Sequence, residues 1–138
     1  MKTTEVGRTA GKESCCRRIG EGWTVDYRER FQEVREDMNR LGAEIPKPMQ
    51  AFARLHDAAV AEGALDTKMK ELIALAIGIT VRCDGCIAFH VHQALDAGAS
   101  RQEVMETIGV AIMMGGGPSV VYGSEAMEAL DQLSATPA

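Results

Sequence analysis

From Tyr27 to Leu133 the apolar residues of this chain recur at spacings of three and four, and breaks fall only where Pro, Gly or a capping residue lets one helix stop and another start. Tyr27, Phe31, Val34, Met38 and Leu41 alternate at four and three with mostly charged residues between them, which predicts a helix with a narrow apolar seam. Such a seam can lie against a partner subunit as readily as against its own core. Pro46 and Pro48 start a second helix that runs to about Glu62 and ends at Gly63. Asp66-Thr67 offers N-caps for a third, to about Val81. It is apolar nearly all round (Met69, Leu72, Ile73, Leu75, Ala76, Ile77, Ile79), which predicts the buried central helix.

Arg82-Cys83-Asp84-Gly85 reads as a turn, and a fourth helix follows from about Cys83 to Ala97, stopped by Gly98. Ser100-Arg101-Gln102-Glu103 is a capping box that opens a fifth helix, with Val104, Met105, Ile108, Ala111 and Ile112 on its inner side. Gly115-Gly116-Gly117-Pro118 ends it and starts the last helix, to about Leu133. Nothing reads as a strand. The predicted fold class is all-α, a bundle of about six helices, with residues 1–22 a flexible leader without periodicity and 23–138 a single domain.

The size and composition agree with this. The chain has 138 residues, enough for one core and too few to expect two. One Trp, two Tyr and three Phe leave the core to Ala, Leu, Ile, Val and eight Met, side chains that favour closely packed helices. The net charge of −5, with basic residues interleaved among acids, argues against nucleic acid as a partner. The longest apolar run, Leu72 to Val81, is far short of the roughly 18 residues that span a bilayer. The polar start of the chain shows no apolar signal segment, so the expected location is cytoplasmic, where paired cysteines are more often catalytic or metal-binding than structural.

Cys83 and Cys86 stand three apart at a helix start. There a disulfide closes with little backbone movement, and the helix dipole and free N–H groups stabilise a thiolate. His90 follows Cys86 by four residues and lies on the same helix face, within reach to take the thiol proton directly or through a water. Glu71 is the one acid past the first turn of the third helix, and an antiparallel hairpin would bring it back towards that face, where it could orient His90 or relay its proton. The same side chains admit blander readings. Two thiolates, an imidazole and Glu71 could hold zinc, although placing Cys, Cys and His on one helix makes tetrahedral closure awkward. Glu71 is also what the dipole alone favours near a helix start. His92 is expected to point away from His90, at a surface or interface, and His56 to pack or face solvent. Cys15-Cys16 reads as two free thiols, since a vicinal disulfide is strained. The glycine run lacks the Lys-Ser/Thr of a phosphate loop and reads as a tight inter-helix turn.

From about Pro46 to Leu133 the chain resembles the AhpD-like, or carboxymuconolactone decarboxylase-like, proteins. The resemblance rests on Glu71 twelve residues before Cys83-Asp84-Gly85-Cys86, with His90 four residues after the second cysteine, all within this helical pattern. It implies an all-helical subunit that assembles into homo-trimers or hexamers. It also implies alkylhydroperoxidase or disulfide-reductase chemistry that needs no cofactor and is recharged by an external dithiol reductant. Carried over, Cys86 would attack the peroxide, Cys83 would resolve the product, and Glu71 and His90 would form the proton relay. The best-characterised AhpD proteins have a second histidine between the cysteines, where this chain has Gly85.

Three functions therefore compete. The leading expectation is a thiol-dependent oxidoreductase acting on a hydroperoxide or a disulfide. A decarboxylase of small lactone acids is an alternative, though that branch generally lacks the cysteine pair. The third is a non-enzymatic redox-sensing or metal-binding oligomer.

Overall fold

The computed structural model of the chain describes residues 16–19 and 22–135. Two short strands, β1 (Cys16–Ile19) and β2 (Gly22–Val25), pair antiparallel, Cys16 opposite Val25 and Ile19 opposite Gly22. Six helices follow: α1 (Tyr27–Glu44), α2 (Pro46–Val60), α3 (Thr67–Thr80), α4 (Asp84–Asp96), α5 (Arg101–Gly115) and α6 (Gly117–Ser134). The architecture is the expected helical bundle. The strand pair corrects the expectation that nothing would read as a strand, and it straddles the boundary expected after residue 22. Each run is only four residues, too short for alternation to register as a period. Residues 1–15, 20 and 21 of the expected flexible leader lie outside the described residues, and so do the side chains of Cys15 and Cys16, on which the expectation of two free thiols falls.

The helix ends are made by the residues that punctuate the sequence. The Asp26 carboxylate accepts from the N–H groups of Arg28 and Glu29, Asp66 from Met69, and Ser100 and Glu103 complete the capping box. The α4 C-terminus closes through Gly98, whose φ of 85° lets Gly98 N–H reach Leu95 O and Ala99 N–H reach Ala94 O. The end of α3 uses the same device with a bulkier residue. Arg82 takes φ 63°, its N–H donates to Ile79 O, and Cys83 N–H donates to Gly78 O at 3.0 Å. A left-handed non-glycine residue costs roughly 1–2 kcal/mol, and here it fixes the first cysteine over the last turn of α3. The fourth helix starts where expected, with Cys83 as its N-cap and Asp84 and Gly85 in its first turn.

Leu72, Leu75 and Ile79 of α3, Ile87, Ala88, Val91 and Ala94 of α4, Val104, Ile108 and Ala111 of α5, and Ala126, Ala129 and Leu130 of α6 form one core, with Tyr27 at its edge. Five of these are alanines, so the axes approach closely. The N-terminus of α1 is tied to the end of α6, where Tyr27 N–H donates to Gln132 Oε1 at 2.7 Å and Arg28 donates to Gln132 O. The expectation of an α3 buried all round is corrected. Met69, Ile73 and Ile77 are exposed, because α4, α5 and α6 cover only the opposite side. The glycine run is the expected tight turn, with Gly116 at φ 68° between α5 and α6. Among the described residues no helix is long and apolar enough to cross a membrane.

Candidate active site

Cys83 is the N-cap of α4, and its Sγ accepts the Cys86 N–H at 3.2 Å, the role an oxygen usually plays. The two cysteines form a disulfide, with Cα atoms 5.1 Å apart. The helix start therefore holds the sulfur pair where backbone N–H groups converge. Cys86 can sit this close to α3 because residue 78 is glycine: a β-carbon there would lie 3.3 Å from Cys86 Cβ.

The α3–α4 hairpin brings Glu71 to His90. The carboxylate is 2% exposed, and its Oε2 is 2.7 Å from His90 Nδ1. A buried carboxylate requires such a partner, and the contact fixes the orientation of the imidazole. The structure thus gathers Cys83, Cys86, His90 and Glu71 at one place. It adds a residue that the sequence reading set aside. His56 of α2 lies with Nε2 3.8 Å from Glu71 Oε1 and lines the same cavity as the cysteines, instead of merely packing or facing solvent. The sequence carried one faint signal of this, since His56 follows Phe52 by four residues on the apolar strip of α2.

The cavity, about 350 Å³, lies between α1, α2 and the start of α4. Val34 and Met38 of α1, Phe52 and Ala53 of α2, and Phe89 of α4 make its walls apolar. His56, Asp57, Cys83, Gly85, Cys86 and His90 complete the lining. Gly85 is closed off by α1: a β-carbon there would lie 3.2 Å from Val34 Cγ2, with the Arg30 guanidinium 3.5 Å away. Arg30 pairs with Asp84 at 3.0 Å in the first turn of α4. Burial, with Asp84 nearby, pushes the Glu125 carboxyl of α6 up. His92 does point away from this cluster. It is half-buried and stacks on Phe31 at 3.9 Å, which makes it part of the α1–α4 contact within the chain. Among the described residues no three His, Cys, Asp or Glu side chains converge to hold a metal ion.

The sequence pattern of the carboxymuconolactone decarboxylase family matches residues 46–129, which include every residue of the sulfur–imidazole–carboxylate cluster. The chain belongs to the carboxymuconolactone decarboxylase family. A carboxymuconolactone decarboxylase family protein of Legionella pneumophila is 39% identical and superposes with a TM-score of 0.76 over 79% of this chain and 97% of that one. A carboxymuconolactone decarboxylase family protein of Thermotoga maritima, for which involvement in an antioxidative response has been suggested, is 31% identical with a TM-score of 0.69, over 75% of this chain and 89% of that one. An uncharacterized protein of Cupriavidus necator is 38% identical over 112 residues, 81% of this chain and 99% of that protein. Helix α1, which supplies Val34 and Met38 to the cavity, lies outside the segment matched by the family pattern.

Proposed function

We propose that this carboxymuconolactone decarboxylase family member is a thiol oxidoreductase that reduces an organic hydroperoxide or a disulfide through Cys83 and Cys86. The observation that carries the reading is the position of this disulfide in the wall of an apolar cavity that it shares with His90, the imidazole held by Glu71. In the reduced protein the Cys86 thiolate attacks the outer peroxide oxygen, the O–O bond breaks, and the alcohol leaves with a proton delivered through His90. The Cys83 thiol then attacks the Cys86 sulfenic sulfur, releasing water and forming the disulfide. An external dithiol restores both thiols and is itself oxidised to a disulfide. Glu71 holds His90 in the orientation that this proton traffic needs.

The decarboxylase alternative requires a pocket for carboxylates. Among the described residues lining the cavity there is no Lys or Arg, which disfavours an acidic lactone there. The working unit in this reading is a cytoplasmic homo-oligomer. Met69, Ile73 and Ile77 of α3, with Met113 and Met114 of α5 and Val120 and Val121 of α6, are exposed apolar side chains that a contact between subunits would cover.

Mass spectrometry of the reduced protein before and after one equivalent of cumene hydroperoxide tests the reading. A Cys83–Cys86 disulfide forming within seconds, and absent in Cys86→Ser, is expected. Thiols at that pair that persist unchanged through exposure to both hydroperoxide and a small disulfide would rule the reading out.

A further inference from the structure

The Glu71 carboxylate faces two imidazoles, and only one of them belongs to the relay described above. Oε2 takes His90 Nδ1 at 2.7 Å, while Oε1 faces His56 Nε2 at 3.8 Å. That nitrogen is buried and has no hydrogen-bond partner among the described residues, although the ring as a whole is 26% exposed. A buried N–H left unpaired loses its hydration with nothing in return, so the position calls for an acceptor, and the carboxylate is the acceptor in front of it. A ring movement of about 1 Å closes the gap to hydrogen-bond length.

The other ring nitrogen has a carboxylate beside it, but beyond hydrogen-bond length. His56 Nδ1 lies 3.6 Å from Oδ1 of Asp57, a carboxylate that is itself exposed. Edge contact with Phe89, ring centroids 5.8 Å apart, sets the plane of the imidazole, and His90 lies beyond at 6.4 Å. The titratable groups facing His56 are thus Asp57 on its own helix, Glu71 from α3 and His90 from α4, while α1 contributes the apolar Val34 and Met38 to this wall.

We infer that His56 is a positioning residue for the thiol site: it donates from Nε2 to the second oxygen of Glu71 and so keeps the first oxygen on His90. This assignment rests on the oxidoreductase reading for its purpose, but its test does not. The carboxylate can rotate about its terminal bond, and one partner on one oxygen does not stop it. A donor on each oxygen does. His56 thereby couples α2, outside the cysteine-bearing hairpin, to the imidazole that manages the Cys86 proton.

The experiment is alkylation of the reduced full-length chain by iodoacetamide across pH, with modification of Cys86 followed by peptide mass spectrometry. It compares wild type, His56→Leu and His56→Gln. Leucine removes the donor; glutamine keeps a neutral N–H at similar reach. The expected result is that His56→Leu raises the pH of half-reaction at Cys86 by about half a unit to one unit, while His56→Gln returns it close to wild type. The fold tolerates either change, because α2 has no buried residue, and unchanged circular dichroism checks this. A His56→Leu profile superimposed on wild type overturns the assignment. Equal shifts in both variants overturn it as well, since a retained donor would then make no difference. Wild-type alkylation that is normal while hydroperoxide and small disulfide both leave the thiols untouched removes the oxidoreductase reading and leaves His56 judged by its own profiles.

Discussion

Gly78 and Cys86 stand against each other across the α3–α4 hairpin, so close that a β-carbon on Gly78 would lie 3.3 Å from Cys86 Cβ and 3.7 Å from the Cys86 carbonyl carbon. In an unconstrained helix Gly→Ala is favourable by about 1 kcal/mol. Here the gain competes with a contact that cannot relax cheaply, because Cys86 is anchored in the first turn of α4 and bonded to its neighbour at Cys83. Overpacking in a filled region costs about 1–3 kcal/mol. Gly78→Ala is therefore expected to destabilise the protein by about 1 kcal/mol net and to slow Cys86 alkylation. Urea denaturation checks the first effect and thiol labelling the second; a variant more stable than wild type, with unchanged labelling, would mean that the hairpin opens to accommodate the methyl group.

Gly85 is confined in the same way from the other side. A β-carbon there meets Val34 Cγ2 at 3.2 Å, with Arg30 behind it. Placing histidine between the cysteines by Gly85→His should therefore push α1 away instead of adding a relay group. The expected outcome is a loss of about 1–3 kcal/mol in stability without faster oxidation of Cys86. Pairing it with Val34→Ala should recover part of the stability. Stopped-flow oxidation and thermal melting together decide this, and an accelerated reaction in Gly85→His would contradict the packing argument.

The clearest source of pH-dependent stability lies away from the site, where Lys68 of α3 meets Glu103 of α5. Hydrogen bonding to Lys68, helped by the Ser100 backbone and side chain, holds the Glu103 carboxyl down to about 2. Its carboxylate is favoured in the folded state, so its stabilising contribution is complete above the ordinary carboxylate range near 4.5 and disappears as pH falls towards 2. The same contact raises Lys68, so the partner's share persists through neutral pH and is lost only when the amine deprotonates at alkaline pH. Glu103→Gln should flatten the decline in Tm between pH 4.5 and 2 relative to wild type. The difference should shrink in 1 M salt, since both side chains are open to solvent. Identical acid limbs for the two proteins would show that other carboxylates carry the effect.

Much of this molecule was legible in the sequence because its signals are local. The capping box at Ser100 and Glu103, the stop at Gly98 and the proline starts are each written within a few residues, and the structure forms all of them. The grouping of Glu71 with His90 was legible because the short link between α3 and α4 leaves a hairpin little choice of direction. His56 was not, because nothing local marks where α2 lies relative to α3. The exposure of Ile73 and Ile77 escaped for a related reason: an all-round apolar helix reads the same whether its far side meets another helix of the chain or another subunit. The strand pair was missed because four-residue runs carry too little pattern, and the closeness of Gly85 to Val34 because it depends on how α1 crosses α4.

Helix α2 buries none of its residues, yet it forms one wall of the cavity and carries His56, while the cysteines sit on the hairpin that anchors the core. Its C-terminal end is held by two bonds from α3, Thr67 Oγ1 to Val60 O and Lys70 Nζ to Ala61 O. Swinging this one helix aside would therefore be a much smaller excursion than unfolding the domain. It would bare the sulfur pair to something as large as another protein while leaving the pair's own geometry intact. On the oxidoreductase reading proposed above, a small oxidant would arrive through the cavity and a bulky reductant through an opened flank, two entrances to one pair of sulfurs.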